Sequence, residues 1–259
     1  MIGIFDSGIG GLTTVRALMD VLPGHDLIYF GDTARTPYGS KSRETVIRYA
    51  IENTEFLLEH GAKVIVMACN TASSVATEVL MEKYHVPVFE VITPAVERAV
   101  NQSPRAQIGV IGTRGTINSG IYERLIKEKI PTANVFSSPC PLLVPLVEEG
   151  WFDRPETRMI VKKYLHPLKI RQVDSLILGC THYPLLKDII QKKIGKNVKV
   201  IDSSVAVAEK ISRFFADHPD MDQLIEKNGK ADLFVSDITE QFEKTASTIL
   251  KKKVFLNRV

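Results

Sequence analysis

Two cysteines in this chain stand in nearly the same local sequence. Val64-Ile65-Val66-Met67-Ala68-Cys69-Asn70-Thr71-Ala72-Ser73 and Ser175-Leu176-Ile177-Leu178-Gly179-Cys180-Thr181-His182-Tyr183-Pro184 each run from an apolar stretch into a cysteine with a threonine close behind. Such a stretch, as a buried strand, delivers its thiol to the strand's C-terminal end. A helix starting just after it aims backbone amides and partial positive charge at the sulfur, which favours thiolate. Two such thiols facing each other suit proton removal from one side of a carbon and proton return from the other. A lone buried cysteine is more often a core residue, which is the reading for Cys140 between Pro139 and Pro141.

Other uses of paired thiols fit less well. Zinc needs three or four converging ligands, and beyond Cys69, Cys180 and His182 no Cys or His has ligand-like spacing, so no metal is expected. The C-x-x-C arrangement common among redox thiols is absent. His182, taken alone, caps a helix; beside a thiol it can stabilise thiolate or relay a proton.

Asp6-Ser7-Gly8-Ile9-Gly10-Gly11 precedes another helical pattern, and its glycines let amides approach an anion. The loop matches neither common nucleotide-binding fingerprint, and Asp6 repels phosphate. An amino acid suits it better, with an ammonium for Asp6 and a carboxylate for amides and hydroxyls, although Asp6 also reads as a simple helix cap. Gly31 to Ser40 is a turn-rich loop whose Tyr38 and Gly39 could close over a ligand. Glu148 and Glu149 read as solvated carboxylates in a loop.

The elements that place these residues alternate. Strands are predicted at 2–5, 27–31, 64–68, 88–91, 108–111, 134–137, 175–178 and 198–201, with later ones at 232–235 and 254–256. Helical patterns fall at 12–21, 42–60, 73–84 and 205–215. Valine- and isoleucine-rich strands without alternation predict parallel sheets covered on both faces, hence a doubly wound α/β architecture. In such sheets ligands gather beyond the strands' carboxyl ends, where Asp6-Ser7, Asp32-Thr33, Cys69-Asn70-Thr71, Gly112-Thr113 and Cys180-Thr181-His182 all fall.

The order of features repeats. Ile2-Gly3-Ile4-Phe5, the first cysteine strand and Val91-Ile92-Thr93 are echoed, each about 110 residues downstream, by Ile108-Gly109-Val110-Ile111, the second cysteine strand and Val200-Ile201-Asp202. Two related α/β domains are therefore expected, 94–204 as the second and 1–93 with 205–259 as the first, the tail returning to it. The composition, 44% hydrophobic and 24% charged with net charge +3, is that of a soluble globular protein and makes no general case for nucleic acid. No apolar run approaches the roughly 18 residues of a membrane span, and the first residues lack signal-peptide character, so a cytoplasmic protein with free thiols is expected.

Phe5-Asp6-Ser7-Gly8-Ile9-Gly10-Gly11-Leu12, Gly31-Asp32-Thr33-Ala34-Arg35 with Pro37-Tyr38-Gly39, Ala68-Cys69-Asn70-Thr71-Ala72-Ser73 and Gly179-Cys180-Thr181-His182-Tyr183-Pro184 resemble, in order, the motifs of the bacterial glutamate racemase family. The resemblance implies cofactor-independent interconversion of L- and D-glutamate for peptidoglycan synthesis, an active site between two α/β domains, and a homodimer. It makes Cys69 the base toward D-glutamate and Cys180 the base toward L-glutamate. Asp6 and Glu148 would assist the first thiol and His182 the second. Ser7, Tyr38, Gly39, Asn70, Thr71, Thr113, Thr181, and with them Asp6 and His182, would meet the substrate. Thr36 departs from the valine the family leads one to expect there. Related racemases acting on aspartate, and a non-catalytic amino acid binding module, are the competing readings.

Overall fold

Ten strands, most of them short runs of branched apolar residues, form in the computed structural model, which describes residues Met1–Val259. In chain order they are β1 Ile2–Asp6, β2 Leu27–Gly31, β3 Val64–Met67, β4 Val88–Glu90, β5 Gln107–Gly112, β6 Asn134–Pro139, β7 Ser175–Gly179, β8 Lys199–Asp202, β9 Ala231–Val235 and β10 Asn257–Arg258. They build one six-stranded sheet, ordered β10-β9-β2-β1-β3-β4, and one four-stranded sheet, ordered β6-β5-β7-β8. Every strand pair is parallel. The orders β2-β1-β3-β4 and β6-β5-β7-β8 are the same arrangement, so the internal repeat of the sequence is also a repeat of sheet topology.

Alternation along the strands sends side chains to two covered faces. Ile2, Ile4, Val64 and Val66 pack with Leu12, Val15, Leu18, Val207, Ile211 and Ile249, while Phe5, Ile65 and Met67 pack with Val46, Ala50, Leu57, Ala76 and Leu80. In the second sheet Leu176 and Leu178 join Leu143, Val161, Leu165 and Ile190, and Ile108, Val110 and Ile177 join Val96, Ala99 and Ile126. This is the doubly wound α/β fold the sequence predicts. No helix is long and apolar enough to cross a membrane.

Four local expectations change. The helix predicted from Ser73 spans Asn70–Lys83, because Cys69 itself caps it through its sulfur. No α-helix directly follows Cys180: a 3-10 turn at Tyr183–Leu186 comes first, and the α-helix Lys187–Ile194 starts only afterwards. Pro184 lacks an amide and disfavours α geometry at Tyr183, which accounts for the delay. Glu148 ends a short helix, Leu143–Glu148, that turns Leu143 and Val147 into the core. Val254–Leu256 is not a strand; Val254 is buried, and the last pairing is that of Asn257 and Arg258 with β9.

Candidate functional site

Cys69 lies two residues beyond β3 and Cys180 immediately beyond β7, equivalent places in the two sheets. Both line one cavity of about 20 Å³, room for little more than a single water. The first half supplies Ser7, Thr36, Pro37, Tyr38, Gly39, Asn70 and Thr71, and the second half supplies Thr113, Val144, Thr181 and His182. Ten predicted site residues thus reach the cavity, while Asp6 and Glu148 stand behind it. Thr36, Pro37 and Val144 were not predicted as lining residues. The phase of Leu143, Val144 and Val147 was the available signal for Val144, hidden by reading that segment as a loop. A larger cleft, about 490 Å³, opens beside Ser74, Thr77, Glu90 and Ile121, but no cysteine or histidine lines it.

Around the first thiol the surroundings keep the proton on sulfur. The Ala72 amide lies 3.5 Å from Cys69 Sγ as a capping donor. Burial and the negative charge of Asp6 outweigh the pull of that amide and of Ser7, pushing the thiol up to about 12. The expected thiolate is therefore not favoured here: with the site closed, loss of water costs the anion more than the helix terminus returns. Asp6 is fully buried. Its Oδ2 accepts from the Gly8 and Gly11 amides at 3.2 and 2.9 Å, and Thr181 Oγ1 lies 3.3 Å from Oδ1. Burial nevertheless raises its carboxyl above the usual range, against the pull of His182 and these donors.

The second thiol has a cation-forming neighbour instead. His182 Nδ1 lies 3.8 Å from Cys180 Sγ and its Nε2 lies 3.2 Å from Glu148 Oε1. Burial pulls the imidazole down, but the bonds and charges of Cys180 and Glu148 prevail and hold it protonated well above its ordinary range. Glu148, which the resemblance sets with the first thiol, lies against His182 on the side of the second: its helix Leu143–Glu148 belongs to the second half and delivers the carboxylate to that imidazole. A substituent on Gly10 would fall 2.6 Å from His182 Nδ1, so a glycine is required for this approach.

A loop from β2 straps the halves together. Arg35 Nε donates to Asp32 Oδ2 at 2.6 Å, the Tyr38 hydroxyl donates to the same oxygen, and Asn53 Nδ2 donates to the Tyr38 oxygen at 3.0 Å. Ser236, just past β9, donates to Asp32 Oδ1 at 3.2 Å. Buried Asp32 is the hub, and the hydroxyl of Tyr38, a residue that lines the cavity, is engaged by Asp32 and Asn53. A Cβ on Gly39 would sit 2.5 Å from that of Thr113, so the strap closes directly on the second half. Thr71, Thr113 and Thr116 link the halves through hydroxyl contacts of 2.9 to 3.2 Å. Tyr122 donates to Asn70 Oδ1 at 2.6 Å, fixing that oxygen away from a donor role and leaving Nδ2 as the donor.

No three His, Cys, Asp or Glu side chains gather in a metal-binding group, and no lysine or arginine lines the thiol cavity. What gathers there is two thiols, a charged imidazole and a set of hydroxyl and amide donors, in a two-sheet α/β frame: the makings of an acid/base site for a small anionic molecule. The family model for Asp/Glu/Hydantoin racemases matches residues 13–211, and the chain belongs to that family. A glutamate racemase from Persephonella marina is 45% identical over 258 residues, covering 100% of this chain and 96% of that protein. The crystal structure of a glutamate racemase isoform from Bacillus anthracis superposes with a TM-score of 0.93 at 36% identity, covering 100% of this chain and 97% of that one. The Francisella tularensis glutamate racemase in complex with D-glutamate gives 0.90 at 38% identity, covering 100% and 96%. An aspartate racemase from Picrophilus torridus shares the fold, at 19% identity and a TM-score of 0.56.

Proposed function

We propose that the chain interconverts L- and D-glutamate without a cofactor, by a two-base transfer at Cα between Cys69 and Cys180. The observation that carries this reading is that both thiols line one cavity with unlike neighbours, Asp6 behind Cys69 and the His182–Glu148 pair beside Cys180. Cys69 holds its proton and acts as acid; Cys180, beside the imidazolium, acts as base. That state is poised to take the proton of L-glutamate on Cys180 and return one from Cys69 to the opposite face. Turnover of D-glutamate starts from the converse state.

The Cα proton is far less acidic than any thiol, so most of the barrier must fall through stabilisation of the carbanion-like transition state, at about 1.4 kcal/mol per tenfold in rate. Ser7, Asn70, Thr71, Thr113 and Thr181 supply neutral donors for carboxylates, and Asp6, behind the closed cavity, becomes an acceptor for the ammonium when the site opens. Water exclusion strengthens each of these. The cavity is too small for glutamate, so the halves and the strap must part to admit it.

The product is read as the D-glutamate of peptidoglycan, made in the cytoplasm by a homodimer whose protomers have the domains 1–93 with 205–259 and 94–204. In D₂O, L-glutamate incubated with the reduced protein is expected to gain Cα deuterium as it becomes D-glutamate. Glutamate recovered without exchange would point to a binding module instead.

A further inference from the structure

Three buried hydroxyls have no hydrogen-bond partner: Thr14, Thr36 and Ser175. Only Thr36 lines the thiol cavity. Buried hydroxyls are almost always paired, and an unpaired one is costly, so an orphan facing a ligand cavity points to a partner that arrives with the ligand. Arg35 and Tyr38 on either side are both tied to Asp32, which fixes the Thr36 backbone within the strap. Thr36 Oγ1 faces the Asp6 loop near Glu148: a substituent on Gly8 would lie 3.2 Å from Oγ1 and 3.8 Å from Glu148 Oε1. The valine expected from the resemblance has the same shape and no hydroxyl, so the threonine adds a polar group without adding bulk.

Resting on the glutamate reading, we propose that Thr36 is a substrate-binding residue whose hydroxyl donates to a carboxylate oxygen of bound glutamate. It thereby raises the affinity of this chain above that of its valine form. A donor at this place has four neutral hydroxyl companions in Ser7, Thr71, Thr113 and Thr181, which suits a carboxylate in a cavity without lysine or arginine.

The test is Thr36→Val against Thr36→Ser, read by kcat, KM and melting temperature with and without D-glutamate. Thr36→Val is expected to raise KM about tenfold or more, the usual effect of losing a bond to a charged group, with kcat little changed. The free variant should melt no lower than wild type, since the orphan is gone, yet gain less from D-glutamate. Thr36→Ser should restore the wild-type KM. An unchanged KM and an unchanged glutamate-induced melting shift in Thr36→Val would overturn the proposal, the hydroxyl then serving only a water. Wild-type protein that leaves the Cα hydrogen of glutamate in place would overturn the racemase reading alone, and the glutamate-induced melting shift of Thr36→Val would still decide the role of the hydroxyl.

Discussion

The two thiols are placed alike and surrounded differently. Both follow the third strand of a 2-1-3-4 parallel arrangement, and both are nearly out of solvent. Cys69 caps a 14-residue helix and has the anion-forming Asp6 as its ionisable neighbour; Cys180 precedes only a turn and has His182 backed by Glu148. The helix terminus, which ought to make Cys69 the more acidic thiol, loses to burial and to a like charge. Sheet topology therefore decides where a sulfur sits, and the local chain decides what surrounds it, an acid behind Cys69 and an imidazole beside Cys180. For a reaction whose two directions demand opposite proton states, unlike neighbours let one resting form be defined.

The largest test of this contrast removes each sulfur. Cys69→Ala and Cys180→Ala are each expected to lower racemisation by about a thousandfold or more, the scale on which an acid or base partner contributes. Each variant should keep elimination of a β-leaving group from the one enantiomer that its surviving thiol deprotonates. Full racemase activity in either variant, measured by polarimetry, would sink the two-base assignment.

A smaller effect is expected when the charge behind His182 goes. Glu148→Gln should lower kcat/KM by about ten- to a hundredfold, the scale of an outer partner that orients and charges a reacting group. The loss must be equal in the two directions, since enantiomers have an equilibrium constant of one. Any asymmetry can show only in kcat and KM taken separately. A variant whose pH–rate profile matches wild type would detach Glu148 from the proton chemistry.

The smallest effect concerns stability on the first thiol's side. Because burial raises the Asp6 carboxyl, its protonated form is the one the fold favours. The stability it contributes is complete below the ordinary carboxylate value near 3.8 and is lost as pH rises through the raised value. Asp6→Asn should therefore melt higher than wild type at neutral pH, with the gap closing toward pH 4, while its turnover falls. A lower melting temperature for the variant at pH 7 would show that the Gly8 and Gly11 bonds need the charge.

Much of this is legible in the sequence. The repeat of Ile2-Gly3-Ile4-Phe5 in Ile108-Gly109-Val110-Ile111 and of the cysteine strands anticipated two sheets with matching order, since strand patterning is local and short. What stayed hidden depends on long-range packing. Glu148 is 34 residues from His182, and nothing in a Glu-Glu pair names a distant imidazole. Asp32 bonds Ser236 across 204 residues, so the strap's hub is invisible to any local window. Cys69 and Cys180 looked equivalent because their strands are; Pro184 was the local sign that the second helix starts late.

The pairing of β9 with β2 also bears on how the molecule is made. β2 ends at Gly31 and its neighbour begins at Ala231, roughly 200 residues later. At about 5–20 residues per second, that flank of the first sheet stays open for some 10–40 s of synthesis, a bare strand edge of the kind prone to stray pairing. The four-stranded sheet, made wholly of residues 107–202, can close during the wait. Ser236 reaches Asp32 only after those roughly 200 residues have been added, so the strap over the thiols is secured later than the four-stranded sheet can close.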